Sequence, residues 1–193
     1  MSKTFWIIIL VLIVAAMMSV GKYNTMVGYD ESVSEQWANV ETQYQRRSNL
    51  IPNLVNTVKG YAAHEKDVLE SVTKARASAT SVKIDPSNLT AANIKQFQAA
   101  QGSLNSALSR LLAVSERYPD LKANQNFLEL QAQLEGTENR IAVAIRRFNE
   151  QVKIYNTFIS KFPNNFIASS FGFEKQVNFE AEEGAEKVPE VKF

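Results

Sequence analysis

Two polar runs carry the residue types that could do chemistry. Arg46-Arg47-Ser48-Asn49 stands just ahead of Pro52, and Glu135-Gly136-Thr137-Glu138-Asn139-Arg140 leads on to Arg146-Arg147-Phe148-Asn149. Such runs fit either an exposed helix face laced with i,i+4 pairs or a surface that recognises a partner. The other candidate chemistries fail. His64-Glu65 begins like the zinc-binding H-E-x-x-H helix, but Val68 stands where the second histidine belongs, so the metal cannot be held. The glycines are scattered singly and lead neither a Gly-Lys-Ser/Thr ending nor a G-x-G-x-x-G run, which excludes the known phosphate loops. A Ser–His–acid triad would have to recruit His64, and no serine sits in a strand–turn–helix elbow. A di-metal carboxylate bundle wants two Glu-x-x-His motifs, which a single histidine cannot supply.

Composition points the same way. The chain has 193 residues, 21 Lys+Arg against 20 Asp+Glu, and no cysteine. Balanced charge argues against a nucleic-acid partner, because phosphate neutralisation needs basic residues in surplus on one face. The lack of cysteine removes disulfide scaffolds, thiolate metal sites and cysteine nucleophiles. No catalytic residue, cofactor or metal site is expected, and the protein reads as non-enzymatic. Seven Gly and five Pro are few for this length, which implies few turns and long helices.

Helices must therefore position the polar runs. From Met26 the apolar residues advance by alternating threes and fours through Val33, Trp37, Val40, Tyr44, Ile51, Leu54, Val58 and Tyr61, with Asp30 and Arg47 on the same stripe. This spacing is the seam of a helix packed nearly parallel to its neighbours. Pro52 deletes the backbone hydrogen bond to Ser48, yet the phase continues across it, so a kink is expected rather than a break. Gly60 is read as a turn, although the surviving phase also fits one longer helix. A second helix carries Val68, Leu69, Val72, Ala75 and Ala79, and SVKIDPSN (81–88) breaks it, with Asp85-Pro86 expected to open the third. The third holds Ile94, Phe97, Leu104, Leu108 and Leu111 and ends near Tyr118-Pro119. The last keeps its rhythm from Phe127 to Phe162, and Pro163 marks its end.

Four polar residues, Arg47, Gln101, Gln131 and Glu138, fall where this seam calls for hydrophobes. Buried charges must pair or reach water. Arg47 and Glu138 are expected either to face each other across the first and last helices and fix their register, or to lie at the stripe edge with the arginine stem reaching solvent.

Both ends differ from this middle. Thr4 to Gly21 is uncharged, with Lys3 and Lys22 on either side, and eighteen helical residues span roughly 27 Å, just enough for a membrane core. Residues 4–22 are read as a transmembrane anchor in preference to a cleaved signal peptide, with 23–163 as the bundle. The sparse flanking charge leans towards a cytoplasmic N-terminus and an extracytoplasmic bundle at the inner membrane. Seven of the eleven Phe fall between Phe158 and Phe193. Within 164–193, the stretch NNFIASSFGF (164–173) is expected to cap the bundle or dock along it, with partner binding as the alternative, and Glu180 to Glu190 is expected to be mobile.

The architecture is thus all-α: a transmembrane helix, then an up-and-down four-helix bundle of long helices, then an irregular aromatic and acidic tail. Specific motifs add a resemblance. Arg46-Arg47-Ser48-Asn49-Leu50-Ile51-Pro52-Asn53-Leu54-Val55, Val58-Lys59-Gly60-Tyr61-Ala62, His64-Glu65, Tyr118-Pro119-Asp120-Leu121-Lys122-Ala123-Asn124, Glu135-Gly136-Thr137-Glu138-Asn139-Arg140-Ile141-Ala142, Tyr155-Asn156 and Phe162-Pro163 closely resemble the LemA family. Asn49 departs from it where Asp is common, and Phe148 departs where a Tyr-Asn pair is usual. The resemblance implies a bacterial, membrane-anchored bundle of four helices without known catalytic residues. It also implies a role in organising or remodelling membranes, as for a relative associated with magnetosome membranes, or in envelope quality control beside membrane proteases. The expected function is a scaffold that contacts the bilayer through residues 4–22 and other membrane proteins or itself through the bundle. A small-ligand sensor and an accessory factor for a membrane protease are the alternatives. The candidate structural or recognition residues are Arg46, Arg47, Asn49, Pro52, Glu138, Asn139, Arg140, Arg146 and Asn149.

Overall fold

A 3–4 seam that begins at Met26 and an apolar run that ends at Gly21 leave no breaker between them, and one helix carries both. The computed structural model describes residues 3–86 and 88–179, apart from the side chains of 3, 11 and 15. Helix α1 runs unbroken from Lys3 to Tyr61, through Gly21, Gly28 and Pro52. At its end, the turn expected at Gly60 is found one residue on, and α2 follows at Lys66–Ser81. Then come α3 (Ala91–Ser115), a single turn α4 (Pro119–Lys122), α5 (Gln125–Ser160) and α6 (Asn164–Phe171). No strand occurs among the described residues. The acidic stretch 180–190 lies outside them.

Cross-helix contacts fix the topology. Trp37 meets Phe148, Tyr29 meets Phe158, and the Asn124 amide donates to the Tyr61 hydroxyl, so α5 runs antiparallel to α1. Likewise Arg76 reaches Ser48, Gln101 reaches Ala79 and Tyr118 reaches Glu65, which orders the helices up, down, up and down. The 3–4 spacing is what allows the helices to lie nearly parallel over this length.

The caps correct one expectation. Asp85-Pro86 does not open α3; Thr90 does, its hydroxyl accepting the Asn93 N–H at 3.2 Å. A hydroxyl oxygen at the N-cap satisfies one of the orphan donors of the first turn, and Pro86 lies too far upstream to serve. Its carbonyl instead accepts the Ser34 hydroxyl, tying the connector to α1. At the other end of α3, Glu65 accepts from both Tyr118 Oη and Arg117 Nη2. Within the His64-Glu65 dipeptide it is thus Glu65 that acts, as a structural clasp.

Candidate functional site

The buried apolar side chains form two clusters rather than one. On α1 one cluster holds Met26 to Val40 and the other Ile51 to Val58; on α3 the boundary falls between Phe97 and Leu104, and on α5 between Leu134 and Ala144. Polar residues of the seam occupy this boundary. The side chain of Arg47, only 1% exposed, donates through Nη2 to Gln101 Oε1 at 2.7 Å and through Nη1 to Asn105 Oδ1 at 2.7 Å and Glu138 Oε1 at 2.8 Å. Its guanidinium also stacks on Tyr44, 5.0 Å from the ring centre. Three helices therefore converge on one guanidinium, whose planar fork of donors suits several acceptors at once. Glu138 keeps 45% of its side-chain surface in water, so the pair is half screened.

The expected pairing of Arg47 with Glu138 is present. Gln131, by contrast, is half-buried at the seam's edge and donates to Glu135. The buried position one turn before Ile141 belongs to Thr137, the residue directly before Glu138, whose hydroxyl bonds back to Gln133 O. Asn105 was not anticipated, since it stands one position off the α3 stripe and only its reach places its oxygen on Arg47.

Pro52 has a partner of its own. Without an N–H, it leaves the Ser48 carbonyl orphaned, and Arg76 of α2 donates its Nε to that oxygen at 2.8 Å. The proline thus creates an acceptor that docks the second helix. Arg76→Met is expected to destabilise the bundle by about 1–3 kcal/mol, the range for a buried acceptor left unmet. Restoring the N–H with Pro52→Ala should recover much of that loss in the double variant, as thermal unfolding of the four proteins would show.

Arg46 and Asn49 point elsewhere, into an open groove of about 850 Å³ beside α1 and the α2–α3 connector. Glu41 and Ser48 also line it. Burial pushes the Glu41 carboxyl above its ordinary range, opposed by the Ile84 N–H and the nearby Lys83. The Ser48 hydroxyl is buried and has no hydrogen-bond partner. Asn139 and Arg140 are exposed on α5. The two polar runs therefore meet through Arg47 and Glu138 while their other members face different ways, and among the described residues no group of three His, Asp or Glu gathers to hold a metal.

Arg146 and Asn149 lie on the side of α5 that receives the C-terminal segment. Gly172, in the left-handed conformation at φ 77°, ends α6 and turns the chain back. Asn156 then donates to Gln176 O at 2.8 Å and accepts the Gln176 N–H at 2.9 Å, and Asn149 does the same with Phe179 at 2.9 and 2.8 Å. Seven helical residues rise about 10.5 Å, which three residues match only when the chain is nearly fully extended. Tyr155 donates to Glu174 O, and burial raises its phenol to about 12. Phe179 lies over Trp37, with ring centres 6.3 Å apart.

A sequence profile of the LemA family matches residues 36–193. Magnetosome protein MamQ 2 of Paramagnetospirillum magneticum is 28% identical over 176 residues, covering 82% of this chain and 65% of that relative. Magnetosome protein MamQ of Magnetospirillum gryphiswaldense is 28% identical over 185 residues, or 87% and 68% of the two chains. Protein LemA of Metamycoplasma hominis is 22% identical over 183 residues, or 94% and 80%. The chain thus spans slightly less than two thirds of the Paramagnetospirillum relative's length.

Proposed function

The chain belongs to the LemA family, and from that premise we propose that it is a non-enzymatic, single-pass scaffold of the bacterial envelope. Residues 4–22 would cross the inner membrane, and the bundle would stand on its extracytoplasmic side. The observation that carries this reading is the continuity of α1. None of the described side chains in its apolar stretch is buried inside the protein, while the same helix supplies Trp37, Val40 and Leu54 to the core. A span joined to a bundle without a linker transmits position and orientation, which suits a device that holds other membrane proteins, or copies of itself, at fixed geometry. The magnetosome relatives, named for a membrane-bounded organelle, agree with a role at membranes. Chemical crosslinking in native membranes followed by affinity isolation tests the proposal. The expected result is recovery crosslinked to other membrane proteins or to itself, and recovery only as a monomer counts against it.

The groove beside Arg46 and Asn49, with the unmet Ser48 hydroxyl in its wall, supports a second reading as a small-ligand sensor. Native mass spectrometry of the same isolated protein separates the two, since an added small-molecule mass would favour the sensor.

A further inference from the structure

Exposed aromatic surface is concentrated at one end of the bundle. Beyond the apolar stretch of α1, the three most exposed large hydrophobes among the described residues are Phe162 at 80%, Phe166 at 65% and Phe171 at 61%, all on or beside α6. Others, such as Leu128, Val143 and Ile154, are dispersed along α5, which is ordinary for a protein surface. Three phenylalanines within ten positions are not ordinary. Their place in the fold identifies what covers them. Phe171 and Phe173 pack on Tyr23, with ring centres 5.0 and 5.5 Å away, and Tyr23 stands two residues, about 3 Å of helix, beyond Gly21. Phe166 is five residues from Phe171, at most about 7.5 Å along α6, and Phe162 stacks edge-on with Phe166 at 6.0 Å. Phe171 therefore lies at the depth of a lipid headgroup layer, about 5–8 Å, measured from the end of the apolar stretch, and α6 carries Phe166 and Phe162 on from it. Cations outnumber anions beside these rings: Lys22 sits over the Phe158 ring at 5.6 Å, and Lys161 and Lys175 are exposed close by in the chain, with Glu174 the one carboxylate between Phe162 and Lys175. Aromatic rings with flanking lysines are the composition of a membrane–water boundary.

We propose that α6 is a second membrane contact, seated in the headgroup–acyl boundary with Phe162, Phe166 and Phe171 directed into the lipid. The bundle is then held to the bilayer at two points, by its span and by α6, instead of swinging on a single stalk. This rests on the reading of residues 4–22 as a membrane span. It also gives the Tyr23 contacts a purpose, since they set α6 at a fixed height on α1.

The native chain lacks cysteine, so single nitroxide labels can be placed in the full-length protein. The protein is reconstituted in phosphatidylcholine–phosphatidylglycerol vesicles and labelled at Ser170→Cys, one turn from Phe166, at Leu12→Cys in the apolar stretch, or at Lys74→Cys on the exposed face of α2. Collision with a water-soluble nickel chelate is expected to be at least about threefold weaker at 170 than at 74, and weakest at 12. Adding Phe162→Ser and Phe166→Ser should return position 170 to the accessibility of 74. A label at 170 as accessible as at 74 while 12 is shielded overturns the α6 contact and leaves the span standing. Accessibility at 12 equal to that at 74 overturns both. A depth at 170 indifferent to the two phenylalanines also overturns the assignment.

Discussion

Arg47→Ala is expected to lower the stability of the bundle by about 3–5 kcal/mol, the range for removing one member of a buried charge network. The loss has three sources. The Gln101 carbonyl, buried on α3, keeps no donor; the Asn105 oxygen loses its 2.7 Å bond; and a side chain 1% exposed leaves an empty volume against Tyr44. Glu138→Gln should cost no more than about 1 kcal/mol, because a carboxylate with 45% of its side-chain surface in water is screened and its amide replacement still offers an oxygen. That asymmetry distinguishes a buried hub from a simple ion pair, in which either deletion would cost the same. Arg47→Met with Gln101→Leu should be clearly more stable than Arg47→Ala, since volume is kept and the most deeply buried orphan is removed. Thermal unfolding of the detergent-solubilised protein, followed by Trp37 fluorescence, would read the first loss as a shift on the order of 10 °C. Equal shifts for Arg47→Ala and Glu138→Gln would refute the hub.

The network also explains what a pattern of hydrophobes can and cannot announce. Arg47, Gln101 and Glu138 are visible in the sequence because each interrupts a 3–4 stripe, and a charge on a buried stripe demands a partner. Asn105 is invisible by the same logic, since it interrupts nothing. Gln131 shows the converse error: the stripe drifts around a straight helix of 3.6 residues per turn, so a position that fits the arithmetic can slide to the edge while Thr137 moves inside. Asp-Pro is a strong local signal for a helix start, whereas the cap of α3 is decided by where the connector leaves α1, and Ser34 holds Pro86 at that point. The orphaned Ser48 carbonyl follows from the one N–H that Pro52 lacks, but its satisfaction by Arg76 depends on a residue 24 positions from the proline on another helix, which no local rule reports.

The C-terminal clamp is the part of the candidate site least accessible to periodicity, and removing it gives the second large effect. Asn149→Ala with Asn156→Ala should release residues 173–179 from α5 while leaving the four long helices in place. Each asparagine makes a donor–acceptor pair with one backbone residue, so the double variant loses four hydrogen bonds. At about 0.5–1.5 kcal/mol apiece, that amounts to roughly 2–6 kcal/mol of local stability. The segment is supported otherwise by the Tyr155 bond to Glu174, the Asp30 bond to Gln176, and the packing of Phe173, Val177 and Phe179 against the core, Phe173 on Tyr23 and Phe179 near Trp37. Those contacts should not suffice, because the freed chain regains backbone entropy of about 1–2 kcal/mol per residue. Amide exchange at Gln176 and Phe179 should accelerate on the order of a hundredfold or more, with protection in α3 and in the core half of α1 unchanged. Each single variant should show a smaller increase, greatest at the residue it had held. The clamp reads backbone and not side chain, so Gln176→Ala should lose only the Asp30 contact and stay bound. A segment that remains protected in the double variant would mean that apolar packing alone fixes it, and that the heptad spacing of the two asparagines is incidental.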